Sequence, residues 1–360
     1  MRVEEFRKDL HQIPELGRCE YETKKYIVSV LRNLSCKLYY PTETAVVAYF
    51  DLKKSKTLCF RADMDGLSIK EETNLSFASK HIGKMHACGH DGHMSMVLAL
   101  GLWIEEHLEL LNCNVVLLFQ PSEEDNAGAN DILESGILKE LSVDEIYGMH
   151  LWPMLEQNQI YTKEGSILAS STEIDITFNG KSVHAANRDK GIDSILIASK
   201  FLDEFYQFSN SIEAKHLLSF GSFEGNGARN VVCDHVVLKG TLRTFDEKTL
   251  TLVKEYLNEQ QIKWKKEVNM EMIIHLNEAY PFVKNDEQLV NKYQSILDFQ
   301  KLKEPLLQAE DFGCYTHHYP CLFLLLGIGN EHLLHTTTFD FPMEVLSTGV
   351  EAYCKILLNA

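Results

Sequence analysis

Five short segments of the chain are apolar almost from end to end: "AVVAYFD" (45–51), "TLCFR" (57–61), "NVVLLFQ" (114–120), "EIYGMH" (145–150) and "CLFLLLG" (321–327). A strand with one wet face alternates apolar and polar residues, so a run without alternation must be buried on both faces. Helical apolar spacing recurs around these runs. It covers 2–12 (Phe6, Leu10), 20–34 (Tyr26, Ile27, Val30, Leu31), 93–108, and segments near 128–135, near 285–298 and from about 343. Helices alternating with doubly buried strands predict an α/β fold with a sheet covered on both sides.

The texture changes after about residue 164. "TEIDITFNG" (172–180) and "HVVLKGTLRTF" (235–245) alternate with period two, and "EVNMEMIIHL" (267–276) reads as a further strand. Helices are expected at about 191–210 and 246–261. Strands with one polar face and two helices predict a small α+β insert with a solvated side. The chain therefore leaves the main sheet, builds a second domain at 165–276, and returns. Residues 1–164 and 277–360 make the main domain, and a length of 360 residues suits one large and one smaller core.

Composition narrows the functional classes. No apolar run approaches the roughly 20 residues of a membrane span. The opening "MRVEEFRKDLHQIPE" is charged and amphipathic, unlike a secretory leader, and a cytoplasmic location is expected. Nine scattered cysteines without a CxxC spacing fit reduced thiols. A net charge of −17 with no basic run argues against nucleic acid as partner. An anionic substrate would need a local cation.

Open α/β sheets place their sites beyond the carboxyl ends of strands. Polar residues gather there: Asp63 and Asp65 in "ADMDG", Glu123, Glu124 and Asp125 in "PSEED", His150 ending "EIYGMH", and His332 and His335 in "IGNEHLLH". The loop "MHACGHDGH" (85–93) adds Cys88, His90, Asp91 and His93 before the long buried helix. Each piece alone is ordinary. A lone CxH is weak, Asp91 suits a helix cap, and paired glutamates in a loop are usually solvated. Thiolate, imidazole and carboxylate donors at four loops of one sheet are another matter. They suit zinc, cobalt, nickel or manganese.

In order, "RADMDG", "MHACGHDGH", "FQPSEED…GA", "YGMHLWP", "GKSVHAA" and "GTLRTF" resemble the motifs of the M20 metallopeptidases, subfamily D. These are dinuclear amidohydrolases that include hippurate hydrolase, aminoacylases, indole-acetyl amino acid hydrolases and N-acetyldiaminopimelate deacetylase. The resemblance runs from "DLHQIPELG" (9–17) to His335. It implies a mixed-sheet catalytic domain and two divalent ions per chain, held by Cys88, His90, Glu124, His150 and His335. Cys88 would bridge them as a thiolate, and water held between the ions would become the hydroxide nucleophile. Glu123 would act as general base and then acid. It would face the water while Glu124 faces a metal, as neighbouring side chains of an extended segment point opposite ways. Asp65 would fix the tautomer of a ligand imidazole. Asp63 stands where more distant relatives place a metal histidine, and it is taken as structural or as bracing a ligand. His93 is left out of the ligand set. Asp91 either caps the helix or braces a ligand, and His81 and His86 are bystanders.

The resemblance also makes the insert a lid and dimerisation domain. His184 would reach the partner subunit's site and steady the oxyanion, while Asn230 and Arg243 would hold the substrate carboxylate. A homodimer follows. "NRDKG" (187–191), "RNVVCD" (229–234) and "TTTFDF" after His335 depart from the family pattern near the substrate pocket and leave the ligands intact. The activity implied is hydrolysis of N-acyl amino acids, such as N-acetyl or N-benzoyl compounds. The alternatives are a dipeptidase or aminopeptidase-like activity, or a non-catalytic homologue that binds. Retention of Glu123 and of all five ligand candidates speaks against the last.

Overall fold

All five unbroken apolar runs are strands of one sheet in the computed structural model, which describes residues 2–125, 127–329 and 333–360. The strand order is Lys37–Tyr39, Val46–Phe50, Asn114–Gln120, Thr57–Asp63, Glu145–Trp152, Cys321–Gly327, Ile160–Thr162, Gln300–Lys301. The four central strands are parallel, and antiparallel pairs flank them, so the sheet is mixed. Every residue of Thr57–Asp63, Asn114–Gln120 and Cys321–Gly327 is buried, as the lack of alternation requires. Parallel strands share one carboxyl edge. Asp63, Gln120 and Trp152 end on it, and the polar loops follow them.

The helix His90–Glu106 is buried nearly all round. It starts at His90, inside the histidine motif, and not at 93. Gly89 makes this possible: its φ of +85° turns the chain into the helix. The helix also runs close to its neighbours. A Cβ on Gly92 would lie 2.7 Å from both Leu151 and Phe341.

The chain divides into two compact units. The first comprises residues up to Ile167 with Val283–Glu304 and Asp311–Ala360, and the second Leu168–Phe282 with Pro305–Glu310. The second is thus shifted relative to the expected 165–276. Its last strand runs on to Tyr280, because Tyr280 still pairs with Ser171. It is a four-stranded antiparallel sheet in the order Glu271–Tyr280, Ser171–Asn179, His235–Thr244, His216–Gly225. One face (Ile174, Ile176, Phe178, Leu238) forms a core with Phe201 and Phe205 of helix Ser194–Asn210, and with Leu257 and Trp264 of helix Glu247–Val268. The other carries exposed Glu173, Asp175 and Lys239.

Two elements of this unit differ from expectation. The second helix does not stop at 261; its apolar stripe continues through Trp264, and it ends where Asn269 takes a left-handed conformation. The strand His216–Gly225 has no counterpart in the sequence reading. It lies at the sheet edge, and exposed Leu217 and Phe223 with Gly221 and Gly225 blur its alternation. Among the described residues no helix is long and apolar enough to cross a membrane.

Candidate metal centre

The carboxyl-edge loops bring all five ligand candidates together. Cys88, His90 and His150 place one ligand atom each within 4.8 Å of one another, and so do Cys88, Glu124 and His335. Cys88 belongs to both trios. Its Sγ lies 3.5 Å from His150 Nε2 and 3.3 Å from His335 Nε2, and His335 Nε2 is 3.1 Å from Glu124 Oε1. The first trio is buried, whereas the His335 side chain is 51% exposed.

Hydrogen bonds on the far side of two rings settle which nitrogen faces the centre. His90 Nδ1 donates to the Asp65 carbonyl at 2.9 Å, and His150 Nδ1 to the Leu151 carbonyl at 2.7 Å. A carbonyl only accepts, so both Nδ1 atoms carry the hydrogen and the Nε2 atom is left as donor to a metal. His90 Nε2 is buried without a hydrogen-bond partner and lies 3.9 Å from Glu124 Oε1. An orphaned buried polar atom is costly unless something binds it.

The electrostatics also call for a cation. Burial disfavours a charged His90, yet Asp63, Asp65 and Glu124 outweigh it and raise its pKa to about 10. Burial, then the Glu124 and Glu123 carboxylates, push the Cys88 thiol well above its ordinary range. Burial and His93 hold His150 well below the usual imidazole range, neutral and able to ligate. The excess of carboxylate must be balanced by protons or by metal, and a bound cation would reverse the thiol's preference. The residues fit divalent metal.

Glu123 and Glu124 do not point opposite ways. They occupy a bend and a turn and not an extended segment. Their carboxylates converge on His90 Nε2, Glu123 Oε2 at 4.0 Å and Glu124 Oε1 at 3.9 Å. Ser122 just before them has a φ of 58°, and His335 one of 61°. Such left-handed non-glycine residues need support from their surroundings. Asp65 supplies part of it: Oδ1 accepts the Glu123 N–H at 3.1 Å and Oδ2 the Glu124 N–H at 3.0 Å. The expected contact of its carboxylate with a ligand imidazole is longer, 3.4 Å to His90 Nδ1, and the Asp65 backbone carbonyl makes the better bond.

His93 is committed elsewhere, since Nδ1 bonds Asp63 Oδ1 at 2.7 Å and Nε2 accepts the Leu151 N–H at 2.9 Å. Asp91 does not cap its helix. It accepts from Arg7 at 3.3 Å and from His11 at 2.8 Å, tying the N-terminal helix Val3–His11 to the ligand loop. His86 is buried beside the Asp65 carbonyl, and burial lowers its pKa to about 3. His81 bonds the Pro14 carbonyl at 2.8 Å. His332 lies outside the described residues.

His184, Asn230 and Arg243 all fall in the second unit. His184 bridges to Val231, and the Ala185 N–H donates to the Asn230 carbonyl at 2.9 Å, so these two are neighbours. Arg243 is not near them. It sits toward the far end of strand His235–Thr244, roughly 25 Å along the strand at about 3.3 Å per residue, so within one chain it cannot share a small carboxylate with Asn230. The Arg243 guanidinium is half-buried. Its Nη1 is shielded from solvent with no hydrogen-bond partner, and burial lowers its pKa.

Behind the site lies a buried ionic framework that no sequence motif marks. Arg61 donates to Asp63 at 2.7 Å, to Asp311 at 2.6 Å and to Gln120 at 2.9 Å. Asp311 in turn accepts the Ala129 N–H, and its own N–H donates to Glu123 Oε1 at 3.4 Å. The signal was Arg61 itself: a cation in a wholly buried strand needs partners.

Comparison with known proteins identifies the family. Residues 59–359 match the model of "Peptidase family M20/M25/M40". An uncharacterized hydrolase of Staphylococcus saprophyticus is 32% identical over 99% of this chain and 96% of its own length. An N-acetyldiaminopimelate deacetylase of Shouchella clausii is 32% identical over 96% of this chain and 94% of its own. The YXEP protein of Bacillus subtilis, a dinuclear metal binding peptidase from the M20 family, superposes with a TM-score of 0.88. It is 28% identical, covering 99% of this chain and 97% of that one. This chain is therefore a metal-dependent hydrolase of peptidase family M20/M25/M40.

Proposed function

We propose that the protein hydrolyses the amide bond of N-acyl amino acids, releasing a carboxylic acid and a free amino acid. The observation that carries this is the pair of ligand trios sharing Cys88, with Glu123 turned toward the same space. Two divalent ions, of zinc, manganese, cobalt or nickel, would be held by Cys88, His90 and His150 and by Cys88, Glu124 and His335. Bound there, they would supply Lewis acidity and a water acidic enough to react near neutral pH. Glu123 would take the proton of that water and return it to the departing nitrogen. Asp65 holds Glu123 and Glu124 by their amides, and so acts as a positioning residue.

Arg243 would bind the α-carboxylate, for which its fork of donors is suited. Because Asn230 and His184 lie in loops before strand His235–Thr244 while Arg243 is near its far end, we take them to serve a partner copy in a homodimer. The relative from Shouchella clausii, a deacetylase, supports the N-acyl reading. The YXEP protein, a peptidase, supports cleavage of dipeptides on the same scaffold as the second reading. Elemental analysis combined with turnover on N-acetyl and N-benzoyl amino acids and on dipeptides separates them. About two ions per chain and preference for N-acyl substrates are expected. Saturation at one ion rejects the two-ion centre, and a requirement for a free α-amino group moves the assignment to the peptidase.

A further inference from the structure

The segment "PELGRCE" (14–20) lies outside the ligand set, yet it holds a fully buried carboxyl. Glu20 stands at the N-terminus of helix Tyr21–Leu31, where an acidic side chain would ordinarily bond the helix amides. It does not. Glu15 does that instead, accepting from Glu22 N at 2.8 Å, Thr23 N at 3.0 Å and Thr23 Oγ1 at 3.1 Å. Glu20 turns away from the helix. Its Oε1 accepts the Ser122 N–H at 2.9 Å, and the Thr44 hydroxyl also bonds its carboxyl.

Ser122 is the left-handed residue that opens the turn carrying both glutamates, and it is buried. Its carbonyl accepts the Gly128 N–H at 2.9 Å, and its hydroxyl bonds the Asp125 carbonyl. Three successive amides, those of Ser122, Glu123 and Glu124, are thus all held by carboxyl groups from other segments: Glu20 for the first, Asp65 for the next two. The segment also passes close to the turn, since a Cβ on Gly17 would lie 2.7 Å from Ser122 Oγ. A left-handed φ at Ser122 sets the direction in which the next two side chains leave the backbone.

We infer that Glu20 is a positioning residue for the Glu123–Glu124 turn, holding Ser122 in the left-handed conformation that aims both carboxylates at the metal centre. This rests on the two-ion hydrolase reading. Without an acceptor at position 20 the Ser122 amide is buried and unpaired. The turn then relaxes, and Glu124 and Glu123 lose their aim while Cys88, His90 and His150 keep theirs.

The test compares Glu20→Leu, which removes the acceptor, with Glu20→Gln, which keeps one. Metal-free protein is titrated with Co²⁺ alone, and kcat and KM are measured on an N-acetyl amino acid that the wild type cleaves. Glu20→Leu should bind one Co²⁺ as the wild type does and the other about 10- to 100-fold more weakly, with kcat reduced by a similar factor and KM unchanged. Glu20→Gln should restore both. If Glu20→Leu does not fold, Gly17→Ala crowds the Ser122 side chain and should weaken the same single Co²⁺. Wild-type binding and kcat in both Glu20→Leu and Gly17→Ala would overturn the inference. So would equal weakening of both ions, or failure of Glu20→Gln to the same extent as Glu20→Leu. A wild type that cleaves no N-acyl amino acid sinks the substrate assignment instead, and the Co²⁺ titration then decides Glu20 alone.

Discussion

Replacing Asp65 with Asn separates the two tasks that this residue could perform. Its carboxylate accepts two backbone amides, at 3.1 and 3.0 Å, and its main-chain carbonyl accepts His90 Nδ1 at 2.9 Å. Asparagine keeps the carbonyl and one side-chain oxygen but presents an NH₂ group to the other amide. One charge-assisted hydrogen bond is lost and a donor faces a donor. The lost bond is worth about 1.5–3 kcal/mol. Unfolding of metal-free protein in guanidinium should show a destabilisation of that order. Co²⁺ titration should show a weakened Glu124–His335 half-site beside an intact His90–His150 one, because His90 is still held by the main chain. The kcat should fall about 10- to 100-fold. The reasoning is refuted if Asp65→Asn loses the ion at His90 and keeps the one at Glu124. The carboxylate, at 3.4 Å, would then be what orients the imidazole.

Glu123→Gln should keep its metal ions and fold while turnover drops about 10²- to 10⁴-fold, the range for a positioned acid–base group; wild-type activity would move that role elsewhere. Arg243→Ala should lose activity about ten- to a hundredfold on an N-acetyl amino acid, the worth of one charge-assisted contact, and much less on its neutral amide. Equal losses on both would remove the carboxylate clamp. Mixed His184→Ala and Glu123→Gln subunits should recover activity that neither has alone, whereas no recovery after demonstrated subunit exchange would confine His184 to its own chain. Burial raises Glu20 from 4.5 to about 7, so the folded state keeps a proton that the unfolded chain gives up in that interval. Stability from this group is present below pH 4.5 and is lost as pH rises through 7, by up to about 3 kcal/mol. Unfolding midpoints at pH 5 and 8 should therefore diverge more for the wild type than for Glu20→Gln.

The main sheet was legible because nothing but double burial explains runs such as "NVVLLFQ" and "CLFLLLG". The gathering of candidate ligands was legible because soft and hard donors at four strand-end loops of one sheet are a rare conjunction, and the family resemblance singled out five of them. Hydrogen-bond direction was not. "PSEED" reads as an extended pair, whereas Glu123 and Glu124 occupy a bend and a turn after the left-handed Ser122, and both carboxylates face His90. The family resemblance makes the Asp65 carboxylate an imidazole's partner, but the backbone carbonyl, which has no sequence signature, makes the closer contact. The strand His216–Gly225 escaped because an edge strand with two glycines needs little pattern. Arg243 and Asn230 seemed natural companions in sequence, yet an extended strand between them carries them apart.

The position of strand Cys321–Gly327 has a consequence for biosynthesis. It lies inside the sheet, paired on one side with Glu145–Trp152 and on the other with Ile160–Thr162. Until it emerges from the ribosome, Glu145–Trp152 presents a bare apolar edge, the kind of template on which chains aggregate. Everything between must be translated first, which at 5–20 residues per second takes on the order of 10–30 s. The second unit, drawn almost wholly from Leu168–Phe282, faces no such wait. It should be protease-resistant in ribosome-stalled chains that end near residue 315, while the first unit is still cut. The N-terminal candidate ligands would then be the earliest made and among the last to be assembled.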